Sequence, residues 1–178
     1  MNKKLDLSFY RQDVLIVAKE LIGKLLVRKL ASGEVVRYQI IETEAYRGEE
    51  DSACHARAGK TKRTAPMYEA GGMTYVYLCY GIHHLLNVVT GNVGEPQAVL
   101  IRGIEGFTGP GKLTKKLAID KDLNWIDLST SAELWIEDDG AVADYVTSKR
   151  IGIDYASEPY RSIEWRFVKK EISMSPKT

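Results

Sequence analysis

The 178-residue sequence is poor in the residues on which several common chemistries depend. It has two cysteines, Cys54 and Cys79, which form neither a CxxC pair nor a zinc-finger spacing. A disulfide-stapled scaffold is therefore not expected, and reduced thiols in a reducing compartment are. It has three histidines, His55, His83 and His84, with no HxH or HExxH spacing, so no metal site is expected. No apolar run approaches the length of a membrane span and no leader pattern opens the chain, which leads us to expect a soluble intracellular protein without a membrane partner. Neither sign of charge dominates: 25 Lys and Arg against 24 Asp and Glu leave a formal net charge of +1. The chain is not a polycation, and an anionic partner has to be met by a local patch. A nucleoside triphosphatase is disfavoured as well. Gly106–Lys112 fits GxxxxGK, but Leu113 stands where Ser or Thr would hold magnesium, and Pro110 removes an N–H from the phosphate cradle. The glycine-rich backbone with Lys112 can still hold one phosphate of a nucleic-acid backbone.

What is present is an ordinary globular mix, 44% hydrophobic and 28% charged, of a length that suits one domain over residues 1–178. Asp13 and Gly23 bracket a short helix as N-cap and C-terminal stop. Lys24–Leu30 and Val35–Tyr46 read as a hairpin joined by Ala31–Glu34. Residues 47–72 fit neither period, and a long aperiodic stretch inside a compact domain is often functional. Strands follow at Thr74–Tyr80, Leu85–Val89 and Ala98–Arg102, a short helix at Leu113–Ile119, and late strands at Leu134–Ile136 and Ile163–Val168. Strands outnumber helices and adjoin as hairpins. The expected class is α+β, a curved and mainly antiparallel β core flanked by short helices.

Candidate functional residues gather where these elements end. Period-two alternation places Glu42, Glu44 and Tyr46 on one strand face. A carboxylate there is either a general base facing a cleft or half of a surface ion pair. His55, in the aperiodic stretch, is a stacker or a hydrogen-bond donor. Tyr75 and Tyr77 share a face and suit cross-strand packing, while Tyr80 before Gly81 is a poor core position and suits a wedge between bases. Basic residues cluster at Arg57, Lys60, Lys62 and Arg63, at Lys112, Lys115 and Lys116, and at Lys149 and Arg150. Such clusters are solvated faces or a nucleic-acid footprint.

Taken together, IIETEAYRGEEDSACHARAGKTKRTAPMY, GGMTYVYLCYGIHHLLNVV, AVLIRGIEG and TGPGKL, in this order, resemble the alkyladenine (3-methyladenine, or methylpurine) DNA glycosylases, and the resemblance runs nearly the whole chain, through RIGIDYA and Trp165-Arg166-Phe167. It implies a monofunctional enzyme of base excision repair that flips damaged purines out of double-stranded DNA, hydrolyses the N-glycosidic bond and leaves an abasic site. By the resemblance Glu44 is the general base, and Arg102 lies near the water and the target phosphate. Tyr46 stacks on one face of the flipped base, His55 and Tyr77 on the other, and Asn87 helps exclude guanine. Tyr80 enters the minor groove and Lys112 meets the DNA backbone. No cofactor is implied. A monomer is expected, located with the DNA: cytoplasm or nucleoid in a prokaryote, nucleus in a eukaryote. The join between Ile104 and Gly109 is shorter than in many members. The alternative is a binder of distorted DNA that has the fold without turnover.

Overall fold

The computed structural model describes residues 1–171. The elements in chain order are β1 (Lys3–Lys4), α1 (Leu7–Tyr10), α2 (Val14–Glu20), β2 (Leu25–Lys29), β3 (Val35–Arg47), β4 (Thr74–Cys79), β5 (His83–Val89), β6 (Gln97–Ile104), β7 (Phe107–Thr108), α3 (Pro110–Lys116), β8 (Leu134–Asp138), β9 (Tyr145–Ser148) and β10 (Arg166–Lys169). The class is α+β. All the strand pairings are antiparallel, in the order β1-β8-β2-β3-β6-β5-β4.

Strand β3 is the spine. Its first half pairs with β2, its second half with β10, and β6 runs along its other edge. A break in the β3–β6 register falls at Glu42, where the strand departs from regular alternation. The main core packs α2 and α3 against the sheet through Val14, Val17, Ala18, Ile101 and Leu113. Thr43 points to that side, its hydroxyl donating to the Ala18 carbonyl at 2.7 Å, so Glu44, beyond the break, points to the other, where Glu42 and Glu44 both meet Arg102.

The helix signals act as expected. The Asp13 side chain accepts the Leu15 N–H at 2.9 Å, and Gly23 leaves α2 at φ +93°, where a side chain would meet Ala143. The aperiodic stretch holds two short 3-10 helices, His55–Ala58 and Ala65–Tyr68. Several boundaries differ from expectation. Helix α3 starts at Pro110 rather than Leu113, because a proline at the first helical position loses no intrahelical hydrogen bond. The last strand starts at Arg166 rather than Ile163, because the N–H groups of Ile163 and Trp165 are taken by local turns. Strand β9 has only partly buried or exposed residues and therefore carries little hydrophobic pattern to read.

Candidate active site

Strand β3 contributes Tyr46 to the wall of a cavity of about 750 Å³. That size is typical of a small-molecule site. Tyr46, His55, Tyr77, Asn87 and Arg102 all line it, and Tyr80 and Lys112 stand on its wall as well. The strands thus bring all of these sequence candidates to one place. Glu44 sits directly behind, with no solvent exposure. Its Oε1 accepts the Ile151 N–H at 2.7 Å and its Oε2 accepts the Tyr46 hydroxyl at 2.7 Å. Arg102 Nε stands 3.6 Å away, a charge contact rather than a hydrogen bond. Burial pushes the Glu44 carboxyl above its ordinary value, against the opposing pull of Arg102, Tyr46, the Ile151 N–H and Arg150.

The Tyr46 ring is held from behind. The Arg150 guanidinium lies 4.7 Å from its centroid. Arg150 and Asp51 form a fully buried pair at 2.6 and 2.9 Å, and Arg150 also donates to the carbonyls of Ala45 and Tyr160. His55 and Tyr77, also on the cavity wall, meet at 4.6 Å between ring centroids. His55 Nδ1 is 3.0 Å from the Tyr75 hydroxyl. Burial, with help from Arg63 and Arg57, pushes the imidazole down to about 4, so it is neutral at physiological pH. Arg63 covers the Tyr77 ring at 5.2 Å. Asn87 is buried opposite Tyr75 on the β4–β5 ladder, and its amide donates to the Tyr75 carbonyl at 3.1 Å.

At the β4–β5 tip Tyr80 is 91% exposed, and Leu78 and Ile82 beside it are exposed too. Tyr80 and Gly81 have φ of +51° and +68°, with the Ile82 N–H returning to the Cys79 carbonyl, as in a type I′ turn. A tyrosine held in the left-handed region with its ring in solvent is strained for no packing return. Helix α3 braces this hairpin. Thr114 donates to the His84 carbonyl at 2.7 Å, and a Cβ at Gly111 would stand 2.8 Å from the His83 ring.

The description of the methylpurine-DNA glycosylase family matches residues 8–108 and 105–173, and the two segments meet at the short Ile104–Gly109 join. The chain belongs to this family. Membership makes it a DNA glycosylase by kinship, of a class that serves base excision repair. Relatives occur in Borreliella burgdorferi, 46% identical over 181 residues covering 94% of this chain and 96% of that protein. A protein of Borreliella afzelii is 47% identical over 177 residues, covering 92% and 94%. One of Natranaerobius thermophilus is 43% identical over 188 residues, covering 92% and 94%. All three are provisionally named 3-methyladenine DNA glycosylase.

Several groups at this site are invisible to sequence reasoning. The Ile151 N–H, the Asp51–Arg150 pair and the arginine partners of Glu42 join residues about a hundred positions apart, or sixty for Arg102. The one available signal was the RIGIDYA motif, which carries Arg150 and Ile151. Cys54 and Cys79 are free thiols. Among the described residues no group of three or more His, Cys, Asp or Glu side chains converges as a metal site would require, and no helix is long and apolar enough to cross a membrane.

Proposed function

We propose that the protein excises damaged purines, alkylated or deaminated, from duplex DNA by hydrolysing the N-glycosidic bond, and that it acts as a monomer of one domain without a cofactor. The observation that carries this is the buried Glu44 carboxylate, fixed by the Ile151 N–H and the Tyr46 hydroxyl directly behind an aromatic-walled cavity. A glycosidic bond is inaccessible inside a duplex, so the nucleotide turns out into the cavity. That extrusion costs a few kcal/mol, and less for a poorly paired base. Tyr80, exposed at the hairpin tip, fills the gap left in the stack. Lys112 on the braced helix α3 meets the backbone.

The flipped base lies between the free face of Tyr46 and the His55–Tyr77 pair. Stacking returns roughly 1–3 kcal/mol per base. A neutral imidazole does not repel the positive charge of an alkylated purine, and the aromatic faces attract it. Asn87, fixed on the Tyr75 carbonyl, leaves no room for the exocyclic amine of guanine. As the C1′–N bond breaks, its electrons pass to the purine, which leaves neutral if it was cationic; a neutral purine leaves as an anion and takes its proton from solvent. The sugar becomes oxocarbenium-like and water attacks C1′. Glu44 takes the water proton and its charge stabilises the sugar cation. Its raised pKa makes it a stronger base than an ordinary carboxylate. Arg102 orients the water and the phosphate. No lysine adduct is formed, so the strand is left uncut at an abasic site.

The test is single-turnover excision from an end-labelled duplex with one ethenoadenine or hypoxanthine, followed by alkali, beside Glu44→Gln. Strand cleavage only after alkali, and lost in the variant, is the expected result. Tight binding of lesion DNA with no release, on these duplexes and on methylated DNA, would reassign the fold to binding.

A further inference from the structure

Arg102 stands between two carboxylates and gives its hydrogen bond to the one outside the proposed chemistry. Its Nε is 3.1 Å from Glu42 Oε1 and 3.6 Å from Glu44 Oε1. The same Glu42 oxygen accepts the Arg166 Nε–H at 2.6 Å, and Arg166 is further tied to Ser148 Oγ at 2.9 Å. Arg166 is the register partner of Glu44 on β10. The backbone makes room for this arrangement. A Cβ at Gly103 would meet the Glu42 Cβ at 3.2 Å, and the β3–β6 register breaks at Glu42.

We propose that Glu42 and Arg166 are positioning residues that hold Arg102 off the Glu44 carboxylate and so set how strong a base Glu44 is. The proposal rests on Glu44 as general base. A hydrogen bond from a guanidinium stabilises a carboxylate anion and weakens it as a base. At 3.1 Å from Glu42, Arg102 is near enough to line the cavity and is spared from quenching Glu44. Among the described residues the charged and polar groups facing Glu44 are few. They are Glu42 and the Tyr46 hydroxyl on its own strand, Arg102 on β6, Arg166 on β10, and the Ile151 N–H with Arg150, itself neutralised by Asp51.

The two positioning residues carry opposite charge, so their removal acts in opposite directions. Glu42→Gln leaves two arginines uncompensated and Glu44 the nearest full carboxylate for Arg102. The Glu44 midpoint should fall, by up to about three pH units, the scale of a unit charge about 4 Å away at an effective dielectric near 20. Arg166→Gln removes a cation and leaves Glu42 free to draw Arg102 further from Glu44. The midpoint should then rise, by up to about one unit. Glu42→Asp, which keeps the charge, should restore most of the shift. A merely structural role, tying β3 to β6 and β10, would lower the melting temperature in both variants and move neither midpoint.

The experiment is a carbon-13 NMR titration of the glutamate side-chain carboxyls, the Glu44 signal being identified by its loss in Glu44→Gln. The acid limb of single-turnover excision against pH is measured in parallel. Midpoints that move down in Glu42→Gln and up in Arg166→Gln are the expected result, and midpoints that stay put or move the same way overturn the proposal. The titration needs no turnover. A wild-type protein that releases no base thus refutes the excision reading while the Glu42–Arg166 proposal is still decided. Should Glu42→Gln fail to fold, the upward shift in Arg166→Gln decides alone.

Discussion

Tyr80→Asn should stabilise the protein while disabling it. Tyr80 has φ of +51°, a conformation that costs a non-glycine L-residue about 1–2 kcal/mol, and asparagine tolerates it far better. Asn-Gly is also the favoured pair for a type I′ turn. The ring is 91% exposed, so almost no packing is lost with it. The expected gain is about 1 kcal/mol, which in a chain of this length raises the melting temperature by about 2–4 °C. Excision should fall in the same variant. A lost base-stacking contact is worth about 1–3 kcal/mol, or roughly five- to 150-fold in flipping. Thermal unfolding by circular dichroism gives the first number and single-turnover excision the second. Affinity for undamaged duplex should hardly change, because phosphate contacts remain. A variant that melts lower than wild type refutes the strain argument. One that excises at the wild-type rate refutes the wedge.

Glu44→Gln should slow excision by roughly 10²–10⁴-fold with lesion binding retained, as measured by single turnover and by filter binding. It should also melt higher than wild type at neutral pH. Burial raises the Glu44 pKa in the folded state, so stability is full below the unfolded carboxylate value and falls as pH rises through the folded one, a loss that glutamine escapes. His55 titrates the other way. Its folded value of about 4 lies below the unfolded one, so the fold loses stability as pH falls from about 6.5 toward 4, and His55→Gln should flatten that part of a stability–pH curve. Arg150→Met leaves Asp51 buried without its partner and should cost about 3–5 kcal/mol in denaturant unfolding, more than any surface arginine.

The parts of the fold that depend on neighbouring residues were legible. Asp13 and Gly23 mark the ends of α2 because capping and left-handed backbone are local demands. The β2–β3 hairpin and the strand carrying Glu44 follow from alternation. Short or weakly patterned pieces were not legible: α1 has four residues, and β9 buries too little to alternate. The same division runs through the site. Glu44, Tyr46, His55, Tyr77, Tyr80, Asn87, Arg102 and Lys112 are carried by motifs, and all but Glu44 line the cavity wall. What holds them is non-local. Nothing in the run IIETEAY tells that Glu42 is shared by Arg102 and Arg166, or that the backbone at Ile151 closes on Glu44.

Strand β3 pairs with three neighbours and carries Glu44 between two of them. Because side chains alternate, a slip of one residue would turn Glu44 toward α2 and present Thr43 or Ala45 to the cavity. The carboxylate is therefore armed only when β2, β6 and β10 have all locked the strand in register. Ile151 and Arg150 must also close over it from the far end of the chain. A chain still folding, or partly unfolded, has no means of attacking a glycosidic bond. For a protein whose proposed chemistry would leave abasic sites in an intact genome, completing the fold doubles as a safety catch.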